Sequence, residues 1–178
     1  MPSCCRTEVS AISADGKGVL HPRALNNPFV LLATGLGSGF APVAPGTVGS
    51  LLALPVWWFW LVDLPVWQQL AFVIATAAVS IWIVSRACRA TGVGDASQIV
   101  LDEFVGQWTA LLAAPKSTLA LALGFLLFRL FDIAKPWPVS WADRELRGGL
   151  GVVADDVLAG VLAAVVLQLS VRYIPWPI

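Results

Sequence analysis

The sequence predicts an all-α fold, a polytopic integral membrane helical bundle of four to five short spans with one re-entrant glycine-rich segment beside them. One supporting observation is composition: of the 178 residues, 58% are hydrophobic and 12% are charged, against about 45–50% and about 25% in soluble domains. A second is that the apolar residues form several segments long enough to enter a bilayer. A third is that the charged residues gather at one end of these segments.

The first element is a polar segment, residues 1–26, which predicts a disordered cytosolic tail. We interpret 27–178 as a single membrane-embedded domain. Its first part, 28–41, is apolar, carries three glycines between positions 35 and 39, and is too short to cross a bilayer as a helix. Non-helical backbone persists at membrane depth only against protein or water. We therefore interpret this segment as re-entrant or interfacial.

Five later segments are predicted to span the membrane as helices. A span needs about 20 apolar residues, and fewer where the helix lines a protein-filled interior. The clearest spans are 67–86, 117–133 and 155–173. Segment 48–62 is interrupted by Pro55. Segment 104–114 is short unless it begins near Ile99. Both are predicted as spans with irregular ends.

Threading five spans from a cytosolic N-terminus gives the predicted orientation. All but two of the eleven Lys and Arg residues then lie on the cytosolic side, with Lys116 and Arg172 outside, as the positive-inside rule requires. The acidic residues gather at the same side, and only Asp63 lies in the outer loops. Because acidic side chains do not set topology, their position indicates an active site at the cytosolic face.

The charge balance excludes one class of partner. The formal net charge is zero and no basic tract is present. The counterion release that drives nucleic-acid binding therefore has no obvious source, and we expect no nucleic-acid partner. The oligomeric state is left open.

Glycines and prolines alternate with small hydroxyl residues between positions 35 and 50, immediately before an apolar helix. Free backbone N–H groups at a helix start, with Thr47 or Ser50 as the cap, suit a phosphate. No lysine follows as the Walker pattern demands. The alternative interpretation is a tight turn between two membrane segments.

Two adjacent carboxylate pairs, Asp102 with Glu103 and Asp155 with Asp156, are each predicted at a helix entrance. Acidic residues there can simply stabilise the helix through its dipole. Two such pairs that face one aqueous boundary also provide the oxygen ligands that Mg²⁺ takes from proteins. The sequence therefore indicates a Mg²⁺ site.

Arg129 and Asp132 are three residues apart and share a helical face, which Lys135 continues before a proline ends the helix. A structural ion pair would explain the first two, although ionisable residues in a span are functional candidates by default. Arg129, Lys135 and Arg144 together could hold a phosphate through charge-assisted hydrogen bonds. Asp143 and Arg144 lie in a glycine-rich loop that either closes over a headgroup or is merely mobile.

Four blocks together resemble the phosphatidylglycerophosphatase A family of bacterial membrane phosphatases. The resemblance covers about residues 27–173, and its blocks are 37–50, 102–106, 129–138 and 143–156. It implies a Mg²⁺-dependent, multi-pass enzyme of the bacterial inner membrane with its active site on the cytosolic face. Such an enzyme removes the terminal phosphate from the phospholipid phosphatidylglycerophosphate and yields phosphatidylglycerol and inorganic phosphate.

Phosphomonoester hydrolysis requires an in-line nucleophile, neutralisation of the equatorial oxygens and protonation of the leaving alkoxide. We assign residues to these tasks as a hypothesis. The predicted metal ligands are Asp102, Glu103, Asp155 and Asp156. Asp132 is a further ligand, the base that activates water, or a nucleophile that forms an aspartyl-phosphate. The predicted phosphate-binding groups are Thr47, Gly49, Ser50, Arg129, Lys135 and Arg144, and Asp143 belongs with the catalytic residues.

Three alternatives are weighed against a lipid phosphatase. A CDP-alcohol phosphotransferase would carry an Asp-Gly-x2-Ala-Arg motif, which is absent. An ion-coupled membrane transporter would place carboxylates near the bilayer midplane in two related halves, and the sequence shows neither. A non-catalytic membrane scaffold would need no glycine-rich phosphate cradle.

Overall fold

The computed structural model describes residues 9–12, 18–93 and 96–173. Seven α-helices account for most of them: α1 (Pro28–Ala33), α2 (Pro45–Val56), α3 (Val66–Thr91), α4 (Leu101–Ala110), α5 (Thr118–Ala134), α6 (Val139–Glu145) and α7 (Gly148–Tyr173). Short 3-10 turns occupy Pro22–Asn26 and Ser38–Phe40, and a π-helical turn, Trp57–Leu61, extends α2. Strands β1 (Val9–Ile12) and β2 (Gly18–Leu20) pair antiparallel near the N-terminus. The predicted all-α class is confirmed.

Helix α4 lies at the centre of the bundle, where it packs against α7, α2, α3 and α5. Two indole N–H groups fix it against α2 and its π-helical extension. Trp108 Nε1 donates to the carbonyl oxygen of Ala53 at 2.9 Å, and Trp57 Nε1 donates to that of Leu111 at 3.1 Å. The two contacts occur in the same order along both helices, so α2 and α4 run parallel and begin at the same end of the bundle.

Glycines set the close approach of α4 to its other neighbours. A Cβ on Gly160 of α7 would lie 2.4 Å from the carbonyl oxygen of Gly106 in α4. A Cβ on Gly106 would lie 2.5 Å from the Phe128 ring in α5. Small residues allow helix backbones to approach in this way in membrane bundles. Asp102 and Asp156 each lie four residues before these glycines, so the crossing brings their turns together.

Helices α3 and α7 are long and apolar enough to cross a membrane. Each has 26 residues and is about 39 Å long at 1.5 Å per residue. Helix α3 leaves Leu70, Ile74, Val79 and Trp82 exposed. Apolar exposure on this scale marks a surface that meets lipid or protein. The other helices in the described part of the chain are shorter, so the predicted count of four to five spans is not confirmed here.

The helix boundaries match the predicted spans unevenly. Helix α5 nearly coincides with predicted segment 117–133, whereas α3 continues five residues beyond the predicted 67–86. Arg86 is the last residue of the predicted segment, and its guanidinium lies 5.8 Å from the ring centroids of both Phe29 and Trp82. Cation–π contacts of this kind allow a charge to sit beside aromatic surface. They also join α1 to α3.

One prediction about an irregular segment is corrected. The segment between the predicted spans 117–133 and 155–173, which those spans leave as a loop, contains α6 and the first turns of α7, so Asp155 and Asp156 lie inside α7 rather than at its entrance. Within the tail predicted to be disordered, Leu20 and Ala24 are buried, and the backbone N–H of Leu20 donates to Gln98 Oε1 at 3.1 Å. The rest of the predicted tail, residues 1–8 and 13–17, lies outside the described part.

Candidate metal and phosphate site

An acidic cluster forms where α4 and α7 cross. Asp102 and Glu103 lie in the first turn of α4 and Asp156 lies in α7, and one carboxylate oxygen from each falls within 4.8 Å of the others. Asp102 is 8% exposed and Asp156 is 4% exposed. Buried carboxylates this close repel one another unless a cation or a proton is shared among them. We call these three residues the acidic cluster.

The donor set of the acidic cluster fits a divalent cation. Hard oxygen ligands from carboxylates are the ones that Mg²⁺ and Ca²⁺ take in proteins. The Oδ2 atom of Asp156 is buried and accepts no hydrogen bond from any residue that the structure describes. A buried carboxylate oxygen without such a donor is costly, and coordination of a cation would satisfy it. The acidic cluster could therefore bind a metal ion.

The N-terminal turn of α2 faces Glu103. The turn begins at Ala44, which has a left-handed backbone (φ 48°) and provides no side-chain cap. A Cβ on Gly46 would lie 2.1 Å from Glu103 Oε1, so a side chain at this position would displace the carboxylate. The partial positive charge at a helix N-terminus favours a nearby anion. The prediction that Thr47 or Ser50 caps the helix is wrong, because both lie inside it.

Arg129 connects α5 to this turn of α2. Its Nη1 atom lies 2.8 Å from Asp132 Oδ2 and donates to Ser50 Oγ at 3.4 Å. Ser50 Oγ in turn donates to the carbonyl oxygen of Gly46 at 2.9 Å. The side chains of Arg129 and Asp132 are 15% and 16% exposed. The predicted pairing of these two residues is present, and it places a guanidinium beside the carboxylate of Glu103.

Lys135 joins three helices at the edge of the site. It ends α5 with a left-handed backbone (φ 43°), and its ammonium group bridges Asp143 of α6 and Asp155 of α7, the latter at 2.9 Å. Burial lowers the pKa of Lys135, but the hydrogen bonds and charges of Asp143 and Asp155 outweigh it and raise the pKa above its usual value. The structure thus gathers three of the four predicted metal ligands and pairs the fourth, Asp155, with Lys135.

Other predicted site residues take more peripheral positions. Thr47 is half-buried in the first turn of α2, and Gly49 faces Glu103, since a Cβ there would lie 3.4 Å from its Oε2 atom. Arg144 is exposed on α6 and forms no salt bridge within the described residues. A charge pair between Asp63 and Lys116, at 2.6 Å, lies in the loops that begin α3 and α5, the helix ends away from the acidic cluster.

Sequence reasoning assigned no role to Gly46 or to Gln107. Gln107 is completely buried in α4, and neither polar atom of its side chain has a hydrogen-bond partner in the described part of the chain. Its position four residues after Glu103 puts both on one helical face. That spacing was a signal available in the sequence.

Known proteins give this arrangement a context. The chain matches the family model described as phosphatidylglycerophosphatase A over residues 31–171. It is 40% identical to the protein of that name from Escherichia coli (strain K12) over 156 residues, which cover 86% of this chain and 88% of the relative. It is 39% identical to the protein of the same name from Haemophilus influenzae over 145 residues, which cover 81% and 89%.

A third relative, from Bacteroides thetaiotaomicron, carries a provisional name, phosphatidylinositol-3-phosphatase. The two chains are 40% identical over 148 residues, which cover 79% of this chain and 92% of the relative. No solved structure matches the chain.

Proposed function

Because the chain belongs to the phosphatidylglycerophosphatase A family, we propose that it hydrolyses phosphatidylglycerophosphate to phosphatidylglycerol and inorganic phosphate in phospholipid biosynthesis. The observation that carries the mechanism is the acidic cluster of Asp102, Glu103 and Asp156 beside the guanidinium of Arg129. In the reaction, water adds to phosphorus, the bond from phosphorus to the glycerol oxygen breaks, and that oxygen takes a proton.

We propose that the ion held by the acidic cluster is Mg²⁺. Asp102, Glu103 and Asp156 would hold it, and Mg²⁺ usually combines one or two carboxylates with substrate phosphate and water. A bound Mg²⁺ would supply Lewis-acid stabilisation of the phosphoryl oxygens. Asp155, which pairs with Lys135, would hold the neighbouring turn of α7 in place.

The positive groups around the cluster receive the phosphate in this proposal. Arg129 presents a guanidinium whose planar fork matches phosphate oxygens, and its contact with Ser50 ties it to the start of α2. Thr47 and Gly49 line the same first turns of α2, where backbone N–H groups favour an anion. Lys135 adds a second positive charge, and Arg144 on α6 would meet the headgroup at the entrance.

Asp132 is the candidate for activating the nucleophile. Its carboxylate is mostly buried and paired with Arg129, a position from which it could take a proton from water. Attack by Asp132 itself, with a transient aspartyl-phosphate, uses the same residue. Asp143 is placed by Lys135 at the mouth of the site, where it can exchange protons with solvent and with the leaving alkoxide.

We further propose that the protein is a multi-pass protein of the bacterial inner membrane with the acidic cluster at the cytosolic face. Helices α3 and α7 are long enough to span, and α5 and the extended α2 complete the bundle around α4. Arg129, Lys135 and Arg144 lie at the cluster end, whereas Lys116 lies at the other. This bias agrees with the positive-inside rule and leaves the acyl chains of the substrate in the bilayer.

One assay tests the activity and its metal dependence together. Detergent-purified protein is incubated with phosphatidylglycerophosphate, with Mg²⁺ or with EDTA, and released phosphate is measured. We expect release with Mg²⁺ and none with EDTA, and Asp63→Asn serves as a control far from the cluster. Release that is equally fast in EDTA would contradict the metal proposal, and no release under any condition would contradict the proposed function.

A second substrate in the same assay tests lipid specificity. The provisional name of the Bacteroides relative makes phosphatidylinositol 3-phosphate the relevant competitor. We expect phosphatidylglycerophosphate to be hydrolysed with the higher kcat/KM. If the inositol lipid were the better substrate, the assigned substrate would be wrong while the phosphomonoesterase chemistry would stand.

A further inference from the structure

Gln107 is a buried amide that the proposed mechanism leaves unused. Its side chain is 0% exposed, and neither the amide nitrogen nor the amide oxygen has a hydrogen-bond partner among the described residues. Gln69 offers a contrast in the same bundle, because its Nε2 donates to the carbonyl oxygen of Leu64 and its Oε1 accepts from the N–H of Ala113. A buried amide without partners destabilises a fold, so Gln107 calls for a reason other than packing.

The position of Gln107 places its amide under the phosphate site. It follows Glu103 by four residues, and helical side chains lean toward the N-terminus of their helix, here toward Glu103. Ser50 of α2 lies at the level of Gln107 in α4. Along α2 it stands between Gly46, which faces Glu103, and Ala53, whose carbonyl oxygen accepts from Trp108.

Helix α5 reaches the same level. The neighbouring Gly106 meets the ring of Phe128, which directly precedes Arg129. Gln107 therefore lies in the layer where α2, α4 and α5 meet.

Arg129 has a complementary unsatisfied group in that layer. Its Nη1 atom is held by Asp132 and Ser50, but its Nε atom is buried without a partner in the described residues. The Nε–H is a donor, and the amide oxygen of Gln107 is an acceptor. A buried donor, the Nε–H of Arg129, and a buried acceptor, the amide oxygen of Gln107, thus lie in one layer without a direct hydrogen bond between them.

We propose that Gln107 is a positioning residue for Arg129. One buried water molecule accepts the Nε–H of Arg129 and donates to the amide oxygen of Gln107, as buried waters commonly do between otherwise unsatisfied groups. This bridge fixes the rotation of the guanidinium, so that its Nη groups face the phosphate rather than the interior. The inference rests on the proposed phosphate-binding role of Arg129, and Gln107 itself does not touch the substrate.

The first test compares two isosteric substitutions. Gln107→Met breaks no hydrogen bond to any residue that the structure describes, so its thermal unfolding midpoint should stay at or above that of the wild type. We expect kcat for phosphate release to fall about tenfold, because the guanidinium is no longer held. Gln69→Met, the matched control, should show the reverse, a lower midpoint with unchanged kcat. Wild-type kcat in Gln107→Met, or its failure to fold, would overturn the proposal.

The second test asks whether the effect passes through Arg129. Arg129→Lys keeps the positive charge but removes the Nε–H. In that background Gln107→Met should lower kcat by less than about twofold, because groups in one hydrogen-bond network are not additive. A further tenfold loss would show that Gln107 acts elsewhere. If Arg129→Lys alone left kcat unchanged, the proposed phosphate-binding role of Arg129 would be wrong. Wild-type kcat in Gln107→Met would instead refute only the positioning role of Gln107.

Discussion

Substitution of Gly46 by alanine tests the geometry of the site with a single added methyl group. The new Cβ would lie 2.1 Å from Glu103 Oε1 and 3.3 Å from Arg129 Nη1. Ordinary contacts between non-bonded atoms require about 3.5 Å, so the Glu103 carboxylate would have to retreat by about 1.4 Å. Because that carboxylate is the flexible end of a side chain, the backbone of α2 and α4 can stay in place.

The expected consequence is a loss of activity without a matching loss of stability. A displacement of about 1 Å in a catalytic group can lower the rate by about 100-fold. Alanine is favoured over glycine in a helix by up to about 1 kcal/mol, which offsets part of the strain. We therefore expect kcat for phosphatidylglycerophosphate to fall about 100-fold and the free energy of unfolding to change by less than about 1 kcal/mol.

Gly124→Ala provides the matched control. Its Cβ would lie 2.5 Å from Leu111 Cδ2, again the flexible end of a side chain, but in the apolar core. Phosphate release and tryptophan-monitored thermal unfolding in detergent are measured for both variants. Gly124→Ala should keep wild-type kcat. Wild-type kcat in Gly46→Ala would refute the assignment of Glu103 and its neighbours to the reaction centre.

Three further substitutions follow from the contacts around the site. Lys135→Met removes the ammonium group that pairs with Asp155. We expect the free energy of unfolding in detergent to fall by about 1–3 kcal/mol and phosphate release to fall as well. An unchanged thermal midpoint would contradict the bridge. Gly160→Ala places a Cβ 2.4 Å from the backbone of Gly106. The free energy of unfolding should again fall by about 1–3 kcal/mol, together with a loss of activity. A stable, active variant would mean that α4 and α7 can move apart at their crossing. Arg144→Ala removes an exposed side chain, so steady-state kinetics should show a higher KM at unchanged stability, and an unchanged KM would remove Arg144 from the headgroup site.

The carboxylate pairs show how far sequence reasoning reached. Asp102 and Glu103 were expected at a helix start and are found there. Asp155 and Asp156 were treated as an equivalent pair, yet α7 begins seven residues earlier, at Gly148. Adjacent residues in a helix point about 100° apart, so Asp156 faces Asp102 and Glu103 whereas Asp155 faces Lys135. Because α7 already begins at Gly148, the two carboxylates point in different directions, and only Asp156 joins the acidic cluster.

The glycines before Asp155 explain why that boundary was missed. Glycine disfavours helix by about 1 kcal/mol relative to alanine, and three glycines between positions 148 and 151 predict a loop. In the structure a Cβ on Gly149 would lie 2.6 Å from the carbonyl oxygen of Ile81, and one on Gly151 would lie 2.5 Å from that of Leu146. Close packing against α3 and against Leu146, the residue that follows α6, requires glycine here, and these contacts outweigh local propensity.

The spacing between carboxylates and glycines in the sequence does reflect the crossing of α4 and α7 that forms the acidic cluster. Gly106 follows Asp102 by four residues, and Gly160 follows Asp156 by the same interval. Two parallel helices that approach through these glycines must bring the preceding carboxylates together. The pairing of one glycine with the other is a long-range contact, however, and no local pattern identifies it. The same holds for the approach of Gly46 to Glu103.

Direct measurement of cation binding tests the central claim, that Asp102, Glu103 and Asp156 form a metal site. Mn²⁺ can substitute for Mg²⁺ as a paramagnetic probe of oxygen ligands, and its free concentration is followed by electron paramagnetic resonance during titration of the detergent-purified protein. We predict that the wild type and Asp63→Asn bind Mn²⁺ with equal affinity and that Asp156→Asn binds it at least about tenfold more weakly, the loss expected when a ligand or its support is removed. Wild-type affinity in a folded Asp156→Asn variant would contradict the account.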